Sequence, residues 1–286
     1  MNIQMIAMDL DGTALQSDHM RFTPRLSRAL ENAHHRGVAV VPVTGRQYAL
    51  LPPPVLAHPL WEGLAALCNG AQIRRLSDGA VLQRRDVPAR ALAALLELAD
   101  RYALPIEFSI DGTLYLTERS REAQLCRPEL AFHRDTVLAG HSAVVDSLLP
   151  LCEKQVEKVN LLCIPDEIRD ILTEETRTLP VSAVWSSASG MEITHAEATK
   201  GRCVEDLCGI LGIPLERVMA IGDSGNDETM LRLAGLGVAM GNAPEYVRRC
   251  ADAVTLTNTE DGAAIAIERY VLGIPAGPAA ADNCGR

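Results

Sequence analysis

Met5-Ile6-Ala7-Met8-Asp9-Leu10-Asp11-Gly12-Thr13 decides the fold of this 286-residue chain. Four consecutive apolar residues read as a strand buried on both faces, because a half-exposed strand would alternate apolar with polar. The run stops at two aspartates one residue apart. A polar loop beyond a buried strand is where an open parallel sheet binds its ligand. If the stretch ends a central parallel strand, more apolar runs with polar ends must follow, with helices between them.

They do. Thr23-Pro24 opens a helix, with Thr as N-cap and Pro in the first turn, and Gly37 stops it. Residues 38–43 form a second apolar run that ends at Thr44-Gly45-Arg46, and Pro52-Pro53-Pro54 breaks whatever helix follows. Residues 64–68 form a third run, ending at Asn69-Gly70-Ala71. The same rhythm returns late in the chain. Residues 199–211 read as a helix stopped by Gly212, and residues 218–221 as a strand ending at Gly222-Asp223-Ser224-Gly225-Asn226-Asp227. Residues 237–240 and 253–256 read as short strands and 261–271 as a closing helix. The fold class is α/β with a parallel sheet.

Between the two stretches the pattern changes. Residues 72–84 predict a hairpin turning at Ser77-Asp78-Gly79, and Pro88 begins a helix with Leu92, Leu95, Leu96 and Ala99 on its apolar side. Asp111-Gly112 between two apolar-aromatic runs is a hairpin signal. Strand, helix and strand follow at 158–164, 166–177 and 181–185, and Ser186-Ser187-Ala188-Ser189-Gly190 reads as a return linker. The expected organisation is a core of residues 1–83 and 188–274 and an inserted α+β cap of residues 84–187. A tail at 275–286, rich in Ala, Gly and Pro, is expected to be disordered.

Composition narrows the class. Apolar residues at 48% suffice for a substantial core. A net charge of −10 and an aromatic share of 3% argue against a nucleic-acid binder. No apolar run is long enough to span a bilayer, so no membrane partner is expected. Eight cysteines without a C-x-x-C pair read as buried reduced thiols, which suits the cytoplasm. His34-His35 ahead of Gly37 reads as a helix end with a favourable dipole contact, not a metal site.

The strand ends gather Asp9, Asp11, Thr44, Asn69, Asp223, Asn226 and Asp227, with Lys200 opening a helix between them in sequence. Several carboxylates, a hydroxyl, an amide and one ammonium on one rim suit phosphoryl transfer. Carboxylates bind the hard cation Mg2+ through oxygen, and a carboxylate can itself attack phosphorus. Two aspartates in an irregular loop can aim at different atoms of one substrate, one as nucleophile and one as proton donor. A calcium loop is excluded, because the twelfth position from Asp9 is Met20 where a glutamate is needed.

Asp9-Leu10-Asp11-Gly12-Thr13 resembles the first motif of the haloacid dehalogenase (HAD) superfamily. Thr44 resembles the second, Lys200-Gly201 the third, and Gly222-Asp223 through Asn226-Asp227 the fourth. With Asn69-Gly70-Ala71 and Gly237-Val238-Ala239-Met240-Gly241-Asn242-Ala243, the set is similar to the Cof-type branch, subfamily IIB. The resemblance implies a Rossmannoid core with an inserted α/β cap that closes over the leaving group. It makes Asp9 the nucleophile and Asp11 the general acid/base, whose backbone carbonyl also ligates Mg2+. Thr44 and Lys200 hold the phosphate, with the Gly45 backbone and Asn226 adjacent. Asp223 ligates the metal, and Asp227 orients that ligand shell or joins it. Ala14 departs from the larger apolar residue usual in the family. Arg46 divides between structural pairing and substrate contact, and His195 is given no role.

The implied function is a Mg2+-dependent phosphatase for small phosphorylated metabolites of the sugar phosphate, pyridoxal phosphate or flavin mononucleotide type. Glu107, Tyr115, Arg119, Arg121, His133 and Lys158 are the cap residues expected to choose among them. Two alternatives stand beside it. A phosphosugar mutase is disfavoured by the cap architecture, and a non-catalytic phosphometabolite sensor by the intact set of acid, lysine and metal ligands.

Overall fold

The computed structural model describes residues 2–52, 55–56, 63–127 and 140–275. The opening apolar run is strand β1 (Met5–Met8), buried along its whole length. Thr23 caps helix α1 (Pro24–His35), its Oγ1 accepting from the Leu26 amide at 3.1 Å. Leu26, Ala29, Leu30 and Ala33 recur at helical spacing and form its buried stripe. Strand β2 (Ala39–Pro42) then pairs parallel with β1. Strand β3 (Leu64–Leu67) departs from the expected rhythm. It pairs antiparallel with β4 (Gln72–Arg75), which turns at Asp78 into β5 (Val81–Arg84). Its link to the chain beyond β2 is the parallel bridge between Val43 and Ala66.

The chain divides into two compact units. The second comprises Arg46–Leu51 and Arg84–Ala198. It holds α2 (Ala89–Arg101), β6 (Ile106–Ile110), β7 (Thr113–Leu116), α3 (Glu118–Cys126) and β8 (Ser142–Val144). Strand β9 (Lys158–Leu161), helix α4 (Arg169–Arg177) and strands β10 (Val181–Ser187) and β11 (Gly190–His195) complete it. Its sheet runs in the order β10-β11-β9-β6-β7-β8. Phe108, Val159, Leu161 and Ile193 share one apolar cluster with Leu92 and Leu95 of α2. The β6–β7 turn uses Asp111 and Gly112, both at positive φ (48° and 80°), the geometry that makes Asp-Gly a hairpin signal.

Two expectations about this unit need correction. Residues 186–190 are the tip of the β10–β11 hairpin, with Ser187 paired to Gly190, and not a return linker. The unit therefore runs on to Ala198, eleven residues beyond the boundary read from composition. A serine-glycine turn and a serine-glycine linker have the same composition, and only the pairing of β11 with β9 tells them apart. Arg46 also groups with this unit, donating from Nη1 to the Leu50 carbonyl at 3.0 Å.

Of the residues expected to choose the substrate, Glu107 is wholly buried and accepts hydrogen bonds from Gln124 and from Asn160, the latter at 2.9 Å. Lys158 pairs with Glu192 at 2.7 Å, and Arg121 pairs with Glu118 one helical turn away. Tyr115 pairs across strands with Phe108, and Arg119 lies on α3. His133, Pro53, Pro54 and the tail from 276 fall outside the described residues.

The first unit resumes at Thr199 with α5 (Lys200–Leu211) and β12 (Val218–Gly222). Helix α6 (Glu228–Leu233), β13 (Leu236–Ala239), α7 (Glu245–Arg248), β14 (Ala253–Val254) and α8 (Gly262–Tyr270) follow. Its main sheet has the order β14-β13-β12-β1-β2, every pair parallel. Strand order reverses direction between β1 and β12, so the cleft at their carboxyl ends is the switch point of the sheet. Cys203, Val204, Leu207 and Cys208 of α5 pack into the same cluster as Met5, Ala7, Val218 and Ala220. Among the described residues every cysteine is a free thiol and only Cys126 is exposed. None of their helices is long and apolar enough to cross a membrane.

Candidate active site

Backbone register assembles the site. Met8 of β1 lies level with Ile221 of β12 and Pro42 of β2. The amide of Asp9 continues the ladder to the Ile221 carbonyl at 3.0 Å, and that of Val43 to the Met8 carbonyl at 2.9 Å. Within two residues of that level, Asp9, Thr44 and Asp223 emerge from three neighbouring strand ends. Asp9 and Thr44 are both buried.

Lys200 closes the group from the helix side. Thr199 caps α5 through Oγ1, which accepts from the Arg202 amide at 3.2 Å, and Lys200 is the first helical residue. Its Nζ lies 2.6 Å from Asp9 Oδ1 and 2.6 Å from Asp227 Oδ1, with the side chain 1% exposed. Asp227 is bound on its other oxygen as well. Oδ2 accepts from the amides of Asp223 and Ser224, each at 2.9 Å. With Ser224 it forms a reciprocal cap that fixes the loop after β12. Asp227 thus ties the ammonium to the backbone that carries Asp223.

Asp223 is held by residues of two other loops. Thr13 Oγ1 donates to its Oδ1 at 3.0 Å, and Asn242 Nδ2 to its Oδ2 at 3.2 Å. The same Asn242 nitrogen donates to the Gly12 carbonyl at 2.9 Å. Gly12 has a φ of 74°, and a Cβ there would sit 2.3 Å from Asp223 Oδ2. Only glycine permits both the turn and the approach. Asn226 Nδ2 donates to Asn69 Oδ1 at 3.0 Å, and the Asn69 amide donates to the Thr44 carbonyl at 3.0 Å. That chain of contacts links the loops after β2, β3 and β12, and Gly45 follows Thr44 directly. Asp11 Oδ1 meets His19 Nδ1 at 2.8 Å in a partly exposed contact. His195, which had no expected role, accepts the Glu197 amide on Nδ1 at 3.1 Å and ends β11.

The electrostatics are crowded. The Lys200 ammonium lies between Asp9 and Asp227, and the charges of Asp223 and Asp11 act on Asp9 as well. Burial above all raises the Asp9 pKa well above the usual carboxylate range; Lys200 opposes this, and Asp227, Asp223 and Asp11 add to it. Asp223 is pushed up to about 6, by burial first and by the Asp227 charge second. Burial is also the largest single influence on Lys200, towards losing its proton. The charges and hydrogen bonds of Asp227 and Asp9 together outweigh it, so its pKa is raised. Asp9, Asp223 and Asp227 each offer a carboxylate oxygen within 4.8 Å of the other two, a set that could hold a cation.

Thr13, His19, Asn69 and Asn242 carry much of this geometry without having been assigned roles from sequence. Thr13, Asn69 and Asn242 stand inside motifs already quoted, so their polar side chains beside strand ends were the available signal. For His19 the sequence holds no such signal.

Residues 6–267 match the family model described as haloacid dehalogenase-like hydrolase. The 5-amino-6-(5-phospho-D-ribitylamino)uracil phosphatase YcsE of Bacillus subtilis is 29% identical over 273 residues, spanning 95% of this chain and 97% of its own. The pyridoxal phosphate phosphatase YbhA of Escherichia coli is 26% identical over 286 residues, spanning 95% of this chain and 100% of its own. A solved haloacid dehalogenase-like hydrolase from B. subtilis has a TM-score of 0.81 at 27% identity, covering 94% of this chain and 100% of that one.

Proposed function

The chain belongs to the haloacid dehalogenase-like hydrolases, in the Cof-type branch its motifs resemble, and is a phosphatase; from that premise we propose that it hydrolyses small phosphate monoesters in two steps through Asp9, with Mg2+ as cofactor. The observation that carries this reading is the buried contact of Lys200 with Asp9 and Asp227 at the carboxyl ends of β1 and β12.

The donor set fits a hard divalent cation. It is all oxygen, and burial first, with the neighbouring carboxylates adding to it, holds the Asp9 and Asp223 pKa values up. Asp9, Asp223 and the Asp11 carbonyl would hold the ion, with Asp227 orienting that shell. When bound, Mg2+ supplies positive charge to the phosphate oxygens and lessens their repulsion from Asp9.

The protein's own groups do the rest. Lys200 engages Asp9 Oδ1 and leaves Oδ2 to attack phosphorus. As that P–O bond forms, the bond to the leaving oxygen breaks, and Asp11 gives its proton to the departing alkoxide. In the second half Asp11 takes a proton from water. The water oxygen bonds to phosphorus, the Asp9–phosphorus bond breaks, and inorganic phosphate leaves with both aspartates restored. Lys200, Thr44, the Gly45 backbone and Asn226 take up the phosphate oxygens.

The test is turnover of p-nitrophenyl phosphate with Mg2+ by the parent and by Asp9→Asn. The variant should lose at least about a thousandfold in kcat/KM while melting like a folded protein. Parental turnover by Asp9→Asn would remove the nucleophile from position nine. YcsE and YbhA are named for phosphate esters of small molecules. Sugar phosphates, pyridoxal phosphate and flavin mononucleotide are therefore the first panel, ranked by kcat/KM.

A further inference from the structure

Residues 15–21 fold back on themselves just after the catalytic loop. The Leu15 amide donates to the Leu10 carbonyl at 2.8 Å, Gln16 to Arg21 at 2.9 Å, and His19 to Gln16 at 2.9 Å. The Asp18 carboxylate accepts from the amides of Met20 and Arg21 at 3.0 and 3.1 Å, which sets the turn. Its base is tied down by two reciprocal bonds, Gln16 Nε2 to the Asn258 carbonyl and Asn258 Nδ2 to the Leu15 carbonyl, each 3.0 Å. At the tip His19 sits in the left-handed region, φ 57°. That conformation is uncommon for a residue with a side chain, although His, Asn and Asp enter it most readily. It brings His19 Nδ1 to 2.8 Å from Asp11 Oδ1, eight residues back.

The contact has little to offer stability. The two side chains are 55% and 38% exposed, and solvent screens an exposed pair of this kind. Its geometric effect is larger. A carboxyl group turns about two bonds, and only one of its oxygens needs to face the leaving group. A donor on Oδ1 restricts that rotation and so fixes the direction from which the carboxyl delivers its proton. We propose that His19 is a positioning residue: in the tautomer with its proton on Nδ1, it holds the Asp11 carboxyl in the orientation from which its proton reaches the leaving oxygen. This rests on the reading of Asp11 as general acid.

Leaving-group dependence tests it. Loss of acid positioning harms an alkyl phosphate, whose alkoxide needs the proton. It spares the first step with p-nitrophenyl phosphate, whose phenolate does not. With Mg2+ and the full chain, His19→Ala should lower kcat/KM for an alkyl phosphate roughly tenfold and leave that for p-nitrophenyl phosphate within about twofold. His19→Asn should restore the alkyl ester to within about threefold, since Asn Nδ2 stands as many bonds from Cα as His Nδ1 and tolerates the same φ. Equal losses on both esters, no loss on either, or failure of Asn to rescue would overturn the inference. Asp11→Asn separates the two layers. If it keeps parental rates on both esters, the reading of Asp11 fails and the inference falls with it. If it loses the alkyl ester while His19→Ala does not, the inference alone falls.

Discussion

Lys200 is the residue on which the charge balance of the site turns. It is buried between two carboxylates that also repel each other. Removing one partner of a buried ionic cluster leaves the others uncompensated, which costs about 3–5 kcal/mol. Lys200→Met in chelator is therefore expected to unfold at lower urea concentration by about that free energy, with the m-value unchanged. A loss under about 1 kcal/mol would mean that water or local rearrangement compensates the pair. The placement of Asp9, Asp223 and Asp227 was legible in the sequence because each follows a buried strand, where residue type and position restrict one another; Lys200 was legible only through the motif it opens. His19 was not. Its contact with Asp11 depends on a turn held by Asn258, from the far end of the chain, and on a backbone angle that no local pattern announces.

At the scale of elements, α5 is the piece most worth testing. It delivers Lys200 from its first turn, and its start is fixed by the Thr199 hydroxyl. Thr199→Ala should cost about 1 kcal/mol of stability, the usual worth of an N-cap. It should also lower kcat, because fraying would begin at the residue that carries the ammonium. Measuring both in one variant checks the link; a stability loss with unchanged kcat would show that Lys200 is held by its carboxylates alone. The helices and the parallel strands were readable because capping residues and unbroken apolar runs are local signals. Sheet membership was not. The 64–68 run has the composition of a central parallel strand, yet β3 makes its main pairing antiparallel with β4. The β10–β11 hairpin was likewise hidden, since its tip is written in the residues a linker would use.

For the whole molecule, the acidic group predicts how the fold responds to metal. The three carboxylates of Asp9, Asp223 and Asp227, with one ammonium to offset them, disfavour the ion-free state, and a cation that binds only the folded chain stabilises it by mass action. At a hundredfold excess over Kd the gain is about 2.7 kcal/mol, or a Tm rise of roughly 5–10 °C for a chain of this size. Asp223→Asn should abolish that rise, and in chelator it should melt no lower than the parent, because it removes one of the crowded charges. A rise that survives Asp223→Asn would move the ion elsewhere. The division into two units was partly legible, from the change of rhythm near residue 84, and its far boundary was not. The β1–β12 ladder bears on why such a division is tolerated at all. It levels Asp9 with the end of β12 through main-chain pairing, whatever number of residues intervenes. Closing a longer loop adds only slowly to the entropic penalty. A host built in this way can carry a passenger the length of a small domain between its halves. Lineages can then exchange the passenger while the inherited chemistry stays the same.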